Sequence, residues 1–85
     1  MKHVQERELR GIPVWLLKSY LVELGGQESG DRVQGEGWSA RLVQLEDYQI
    51  GSIRVGQVLL ELEVEEEIQE DFTLRLDRKL LRAGG

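Results

Sequence analysis

Residues 53–64 read Ile-Arg-Val-Gly-Gln-Val-Leu-Leu-Glu-Leu-Glu-Val, and this stretch decides the fold class. Val58, Leu60, Leu62 and Val64 alternate with Leu59, Glu61 and Glu63, the two-residue period of a strand that lays one face on a core. Upstream, Ile53 and Val55 fall on the opposite parity, and Gly56 sits at the phase change. A bulge at Gly56 would turn both sets inward, and glycine is the residue that tolerates one.

The next stretch, 65–82, fits two periods. As a helix it stacks Ile68, Phe72, Leu76 and Leu80 at i+4 spacing. It also puts Glu65, Glu66 and Glu67 at the N-terminal end and Arg78, Lys79 and Arg82 near the C-terminal end, the polarity a helix dipole favours. Asp71 and Arg75 then form an i,i+4 pair in the better orientation, and Gly84 serves as the C-cap. As a strand, Phe72, Leu74 and Leu76 alternate with Thr73, Arg75 and Asp77. The helix accounts for the charges as well as the apolar residues and is the reading adopted.

Working back toward the N-terminus, Glu46 to Gln49 reads as a turn, and Trp38 to Leu45 as a strand with Trp38, Ala40 and Leu42 on one side. The connection from Gln27 to Gly37 is polar and glycine-rich, with room for a short strand near residues 32–34. A helix from Pro13 to Leu24 places Val14, Leu17, Leu21 and Leu24 on one face. It starts at a proline, whose missing N–H is unneeded there, and stops at Gly25-Gly26. Trp15, Leu16, Tyr20 and Val22 widen its apolar arc. Residues 4–10 form a short edge strand.

This order predicts an α+β domain spanning residues 1–85. It is a two-layer sandwich in the ferredoxin-like βαββα arrangement, an antiparallel sheet of about three strands with two helices on one face. The other face of the sheet is open, and Leu59 with Val43 or Leu45 is expected on it. Such a face is a candidate dimer surface.

Composition narrows the function classes. At 85 residues and without cysteine, the chain has a thin core, no disulfide and no thiolate for catalysis or metal binding. Small unstapled domains gain stability by packing on a partner. The formal net charge of −5 and the lack of a basic run argue against nucleic acid and anionic membrane as partners. The N-terminus carries no leader-like apolar run and no segment has the length of a membrane span, so a cytoplasmic location is expected.

No residue set assembles a catalytic or metal site, so the expectation is a non-enzymatic chain without cofactor. His3 is the only histidine and has no second ligand spaced around it. The acidic stretch from Glu61 to Asp71 is read as a solvated strand face running into a helix start; Glu61 and Glu63 share a face that suits a hard cation or a basic partner. Gly35-Glu36-Gly37 lacks the third glycine of a dinucleotide fingerprint. Ser19, Ser29, Ser39 and Ser52 lack the neighbours of a nucleophile elbow. Trp15 serves either core packing or an interface.

The chain ends Leu80-Leu81-Arg82-Ala83-Gly84-Gly85. This tail resembles those of ubiquitin-like proteins and of bacterial sulfur carriers serving molybdopterin or thiamine synthesis. The resemblance implies that the Gly85 carboxylate is adenylated and converted to a thiocarboxylate, with Gly84 and Gly85 slim enough to thread into an activating enzyme. It covers the tail alone: a β-grasp domain opens with a hairpin and places its helix in the middle, whereas here a helix comes early. Over Gly11-Ile12-Pro13, Glu23-Leu24-Gly25-Gly26 and the tail, the chain also resembles a family of small proteins from thermophilic bacteria with no assigned function. Three expectations follow. The first is an interaction or accessory-subunit domain, self-associating as a homodimer or seated in a larger assembly, with Trp15, Val43, Leu45 and Leu59 at the interface. The second is a carrier acting through Gly84 and Gly85. The third is a small-ligand sensing domain.

Overall fold

The computed structural model describes residues 2–82, the last by its backbone alone. Strand β1 (Lys2–Arg10) leads through Gly11 to helix α1 (Val14–Glu23). Four consecutive strands follow: β2 (Gln27–Ser29), β3 (Arg32–Gly35), β4 (Trp38–Ile50) and β5 (Ile53–Glu65). Helix α2 (Glu66–Arg82) continues from β5 with no intervening loop. The strands form one sheet in the order β1-β5-β4-β3-β2, with every neighbour antiparallel.

The α+β class, the antiparallel sheet and the two helices are as the sequence predicts. The strand count and arrangement are not. The sheet has five strands, and β1 and β2, the strands flanking α1, occupy opposite edges with three strands between them. The ferredoxin-like arrangement would separate them less. The cause is local: two tight hairpins fill what reads as loop. Ser29 pairs with Arg32 across Gly30-Asp31, and Ile50 pairs with Ile53 across Gly51-Ser52. Gly30 and Gly51 each take a φ of 60°, the left-handed conformation such turns need.

β4 therefore runs through residues 46–49, where a turn is expected, and the extra residue of the hairpin falls on it, between Leu45 and Tyr48. Gly56 carries no bulge: β5 keeps its parity throughout, so Ile53 and Val55 stay on the same side as Gln57 and Leu59. No core lies beneath that end of the hairpin to reward turning them inward, and Ile53 remains 64% exposed. The hairpin projects, giving the molecule extents of 44 × 24 × 21 Å.

The ambiguous stretch 65–82 is helical. Phe72 and Leu76 are buried, Ile68 and Leu80 pack at the margin, and Arg75 pairs with Asp71 at 3.1 Å. The expected cap at Gly84 lies outside the described residues. In α1 only Leu17 and Leu21 are buried, while Trp15 and Val22 are exposed, so the wide apolar arc is only partly used. Pro13 sits just before the helix with extended backbone.

Both helices cover one face of the sheet. Leu17 and Leu21 from α1 and Phe72 and Leu76 from α2 meet Val33, Trp38, Ala40, Leu42, Val58, Leu60, Leu62 and Val64. Trp38 and Phe72 stack with ring centroids 4.7 Å apart. Gly35 is the cross-strand partner of Trp38, and a Cβ there would come within 2.3 Å of the indole ring. Arg7 of β1 clamps α2 through Asp77 at 2.6 Å. No polar or charged residue is buried among the described residues.

Candidate functional site

The uncovered face of the sheet is where the remaining chemistry collects. Alternation puts Val4, Glu6, Glu8 and Arg10 of β1 on it, beside Glu63, Glu61, Leu59 and Gln57 of β5. Next come Ser39, Arg41, Val43 and Leu45 of β4, then Gln34 and Arg32 of β3. Val43 pairs directly with Leu59, and Leu45 with Gln57. Three of the four interface residues expected from the sequence thus form one half-buried apolar strip along the middle of the face. Trp15 does not join them. It stands on α1, 70% exposed, between two shallow grooves that flank the helix.

One row across this face is organised by charge. Glu6 is opposite Glu61, Glu61 opposite Arg41, and Arg41 opposite Arg32. Two carboxylates on β1 and β5 are therefore followed by two guanidinium groups on β4 and β3. Arg41 bridges to Glu61 at 3.2 Å and to Asp31 at 3.1 Å. The hydrogen bond from Arg41 holds the Asp31 carboxyl below the usual aspartate value, against a smaller opposing effect of burial. The same partner raises Arg41 further, so it is charged throughout the accessible range. Glu6 and Arg32 have no ion-pair partner among the described residues, and both are exposed.

Below the charged row the face is roofed by polar side chains. The Arg10 guanidinium lies 3.8 Å from the centre of the Tyr48 ring and donates to Gln57 at 3.1 Å. Gln57 in turn donates to the Glu46 carbonyl at 3.1 Å. Val4, Ser39 and the charged residues Arg32, Arg41, Glu61 and Glu63 line a hollow of about 160 Å³. That is small beside the several hundred Å³ of a typical small-molecule pocket.

The other sequence candidates stay apart. His3 is exposed on β1, opposite Val64. Glu63 neighbours Glu61 on the open face, and no group of acidic, histidine or cysteine residues suited to a metal ion forms among the described residues. Gly35-Glu36-Gly37 is a strand end and a turn, with Gly37 accepting from the Glu65 N–H at 2.8 Å. Gly84 and Gly85 lie outside the described residues. No described helix is long and apolar enough to cross a membrane. The charged row was missed by sequence reading because it exists only once four strands are in register; the residues that carry it are ordinary surface residues one by one.

The model of a family described as archaeal MoaD-like protein matches residues 5–85. No curated protein matches the chain.

Proposed function

From the premise that this chain belongs to the archaeal MoaD-like family, we propose that it is a carrier rather than an enzyme, loaded at the carboxyl group of Gly85. The observation that carries this reading is the extent of the family match, which runs through Gly84 and Gly85. The chemistry asks little of the folded domain. The Gly85 carboxylate attacks the α-phosphorus of ATP and pyrophosphate leaves, giving an acyl-adenylate. A sulfide sulfur then attacks the carbonyl carbon and AMP leaves, giving the thiocarboxylate. Every reacting group other than the carboxylate comes from outside the chain, which suits a domain with no buried charged side chain among the described residues. Glycine at both final positions removes the side chains that would block entry into an activating site.

The fold bears on how such a tail is presented. Among the described residues a single strand precedes α1, so the hairpin-first order of a β-grasp carrier is not followed, and the last described element is the 17-residue helix α2 rather than a strand. Ion pairs from Arg7 to Asp77 and from Lys79 to Glu23 fix α2 against β1 and α1.

The test is the mass of the C-terminal peptide after incubation of the full chain with an adenylating enzyme of the sulfur-carrier class, ATP and a sulfide source. The expected product has one oxygen replaced by sulfur at Gly85, and it is lost when Gly85 is deleted. An unmodified Gly85 carboxylate under conditions that load a known carrier, or a natural chain that continues past Gly85, overturns the reading.

A further inference from the structure

We propose that the open sheet face is the interface of a homodimer, with two copies packed face to face about a two-fold axis that runs along the strands between β4 and β5. This goes beyond the carrier reading and does not depend on it. The argument is the arrangement of charge and apolar surface about that line. Reading across the row from β1 to β3, the order is Glu6, Glu61, axis, Arg41, Arg32. The sign reverses at the axis and the spacing is preserved. A two-fold operation of this kind lays β1 over the partner's β3 and β5 over the partner's β4, so each side chain meets its mirror position across the axis. Glu61 then faces the partner's Arg41, and Glu6 faces the partner's Arg32.

The neighbouring rows obey the same rule. Leu59 and Val43 are register partners, so Leu59 faces the partner's Val43 and the reverse holds. Glu63 and Ser39 are register partners, so a carboxylate faces a hydroxyl. Val55 and Tyr48 are register partners, and an apolar side chain faces an aromatic ring. Facing antiparallel sheets pack with a crossing angle of about 30°, which the long Arg and Glu side chains accommodate at the outer strands. A purely basic partner would satisfy Glu6 and Glu61 but collide with Arg32 and Arg41; an acidic one would do the opposite. A second copy satisfies all four.

The overlap sets the strength. Strand rise and spacing give a footprint of roughly 500 Å² per copy, below the about 800 Å² of a standard interface, so association is weak and varies with concentration. Because charges carry it, salt weakens it.

Glu6 and Arg32 give the sharpest test. Within one chain they are separated by three strand spacings, about 14 Å, and neither belongs to an ion pair among the described residues. Any coupling between them therefore arises between copies. In sedimentation equilibrium, the full-length wild type shows a reversible monomer–dimer equilibrium. Glu6→Arg and Arg32→Glu each raise the dimer Kd about tenfold or more, by setting like charges face to face. An equimolar mixture of the two variants forms a one-to-one heterodimer, since every facing pair is again opposite in sign. The double variant carrying both substitutions dimerises as the wild type does. Both sites are exposed strand positions, and circular dichroism checks that each variant folds. The proposal is overturned if the wild type stays monomeric across the concentration range. It is equally overturned if it dimerises indifferently to both substitutions, or if neither the mixture nor the double variant recovers. The readout involves no sulfur chemistry, so its failure and that of the carrier reading are separately visible.

Discussion

Leu59 and Leu60 are neighbours in the chain and differ by one step of a strand, yet they belong to different regions of the molecule. Leu60 is fully buried under the helices, while Leu59 is half-buried on the uncovered face. The same contrast runs along residues 58–64 of β5 and 38–42 of β4. On the helix side every second residue is apolar and closed from water, and the helices supply the facing surface from Leu17, Leu21, Phe72 and Leu76. On the open side the same strands carry Glu61, Glu63, Arg41 and Ser39 around the strip made by Leu59, Val43 and Leu45. The first face holds the fold together; the second is uncovered and carries the mixed charged and apolar surface on which the proposed dimer rests. One strand carries both because its side chains alternate.

The largest test of this division is truncation on the two sides of β5. Leu60→Ala removes a fully buried side chain and is expected to lower stability by about 2–5 kcal/mol in denaturant unfolding. Leu59→Ala should lower the stability of the monomer by less than about 1.5 kcal/mol and act mainly on association. Equal losses at the two positions would erase the distinction between the faces.

The next effect comes from the edge of the core. Gly35→Ala places a methyl group where the Trp38 indole lies, so the ring must leave its stack with Phe72. A loss of about 1–3 kcal/mol is expected, with a change in tryptophan fluorescence reporting the displaced ring. An unchanged spectrum and stability would mean that Trp38 is not seated against β3.

Ion pairs that fix the helices should matter less. Asp77→Ala opens the 2.6 Å contact from Arg7, a partly exposed pair, and is expected to shift stability by up to about 1 kcal/mol at low salt and less at high salt.

The smallest effect is on the open face. Asp31 is held below its ordinary value of 3.8 by the Arg41 hydrogen bond. A carboxyl depressed in the folded state adds stability above its unfolded value and loses it as pH falls through the folded one. Asp31→Asn should therefore lower stability slightly at and above pH 3.8, neutrality included, and the difference from wild type should vanish as pH falls through the depressed folded value. A loss that persists undiminished at low pH would contradict the pairing.

Much of this contrast was legible in the sequence. The alternation from Val58 to Val64 gave the buried and open faces of β5, and parity alone put Val43, Leu45 and Leu59 together. Charge at both ends of residues 65–82 settled helix over strand where apolar spacing could not. What was missed is non-local or disguised. Glu46 and Asp47 look like a turn, but they sit at a bulge in a strand that continues to Ile50, because Gly51-Ser52 is the tighter turn. β2 is three polar residues, and only its pairing with β3 makes it a strand. Trp15 reads as either core or interface from the sequence, and it stays exposed because α1 needs only Leu17 and Leu21 to cover its part of the sheet. The charge-reversed row depends on the register of four strands, which no local pattern encodes.

Thermal unfolding of the intact chain over a series of protein concentrations tests the division between faces most directly. If the open face joins two copies, the midpoint rises with concentration, because the dimer stabilises only the folded state, and the rise shrinks as salt is added. A midpoint that stays constant from dilute to concentrated solution would contradict it, leaving the open face without a second copy to meet.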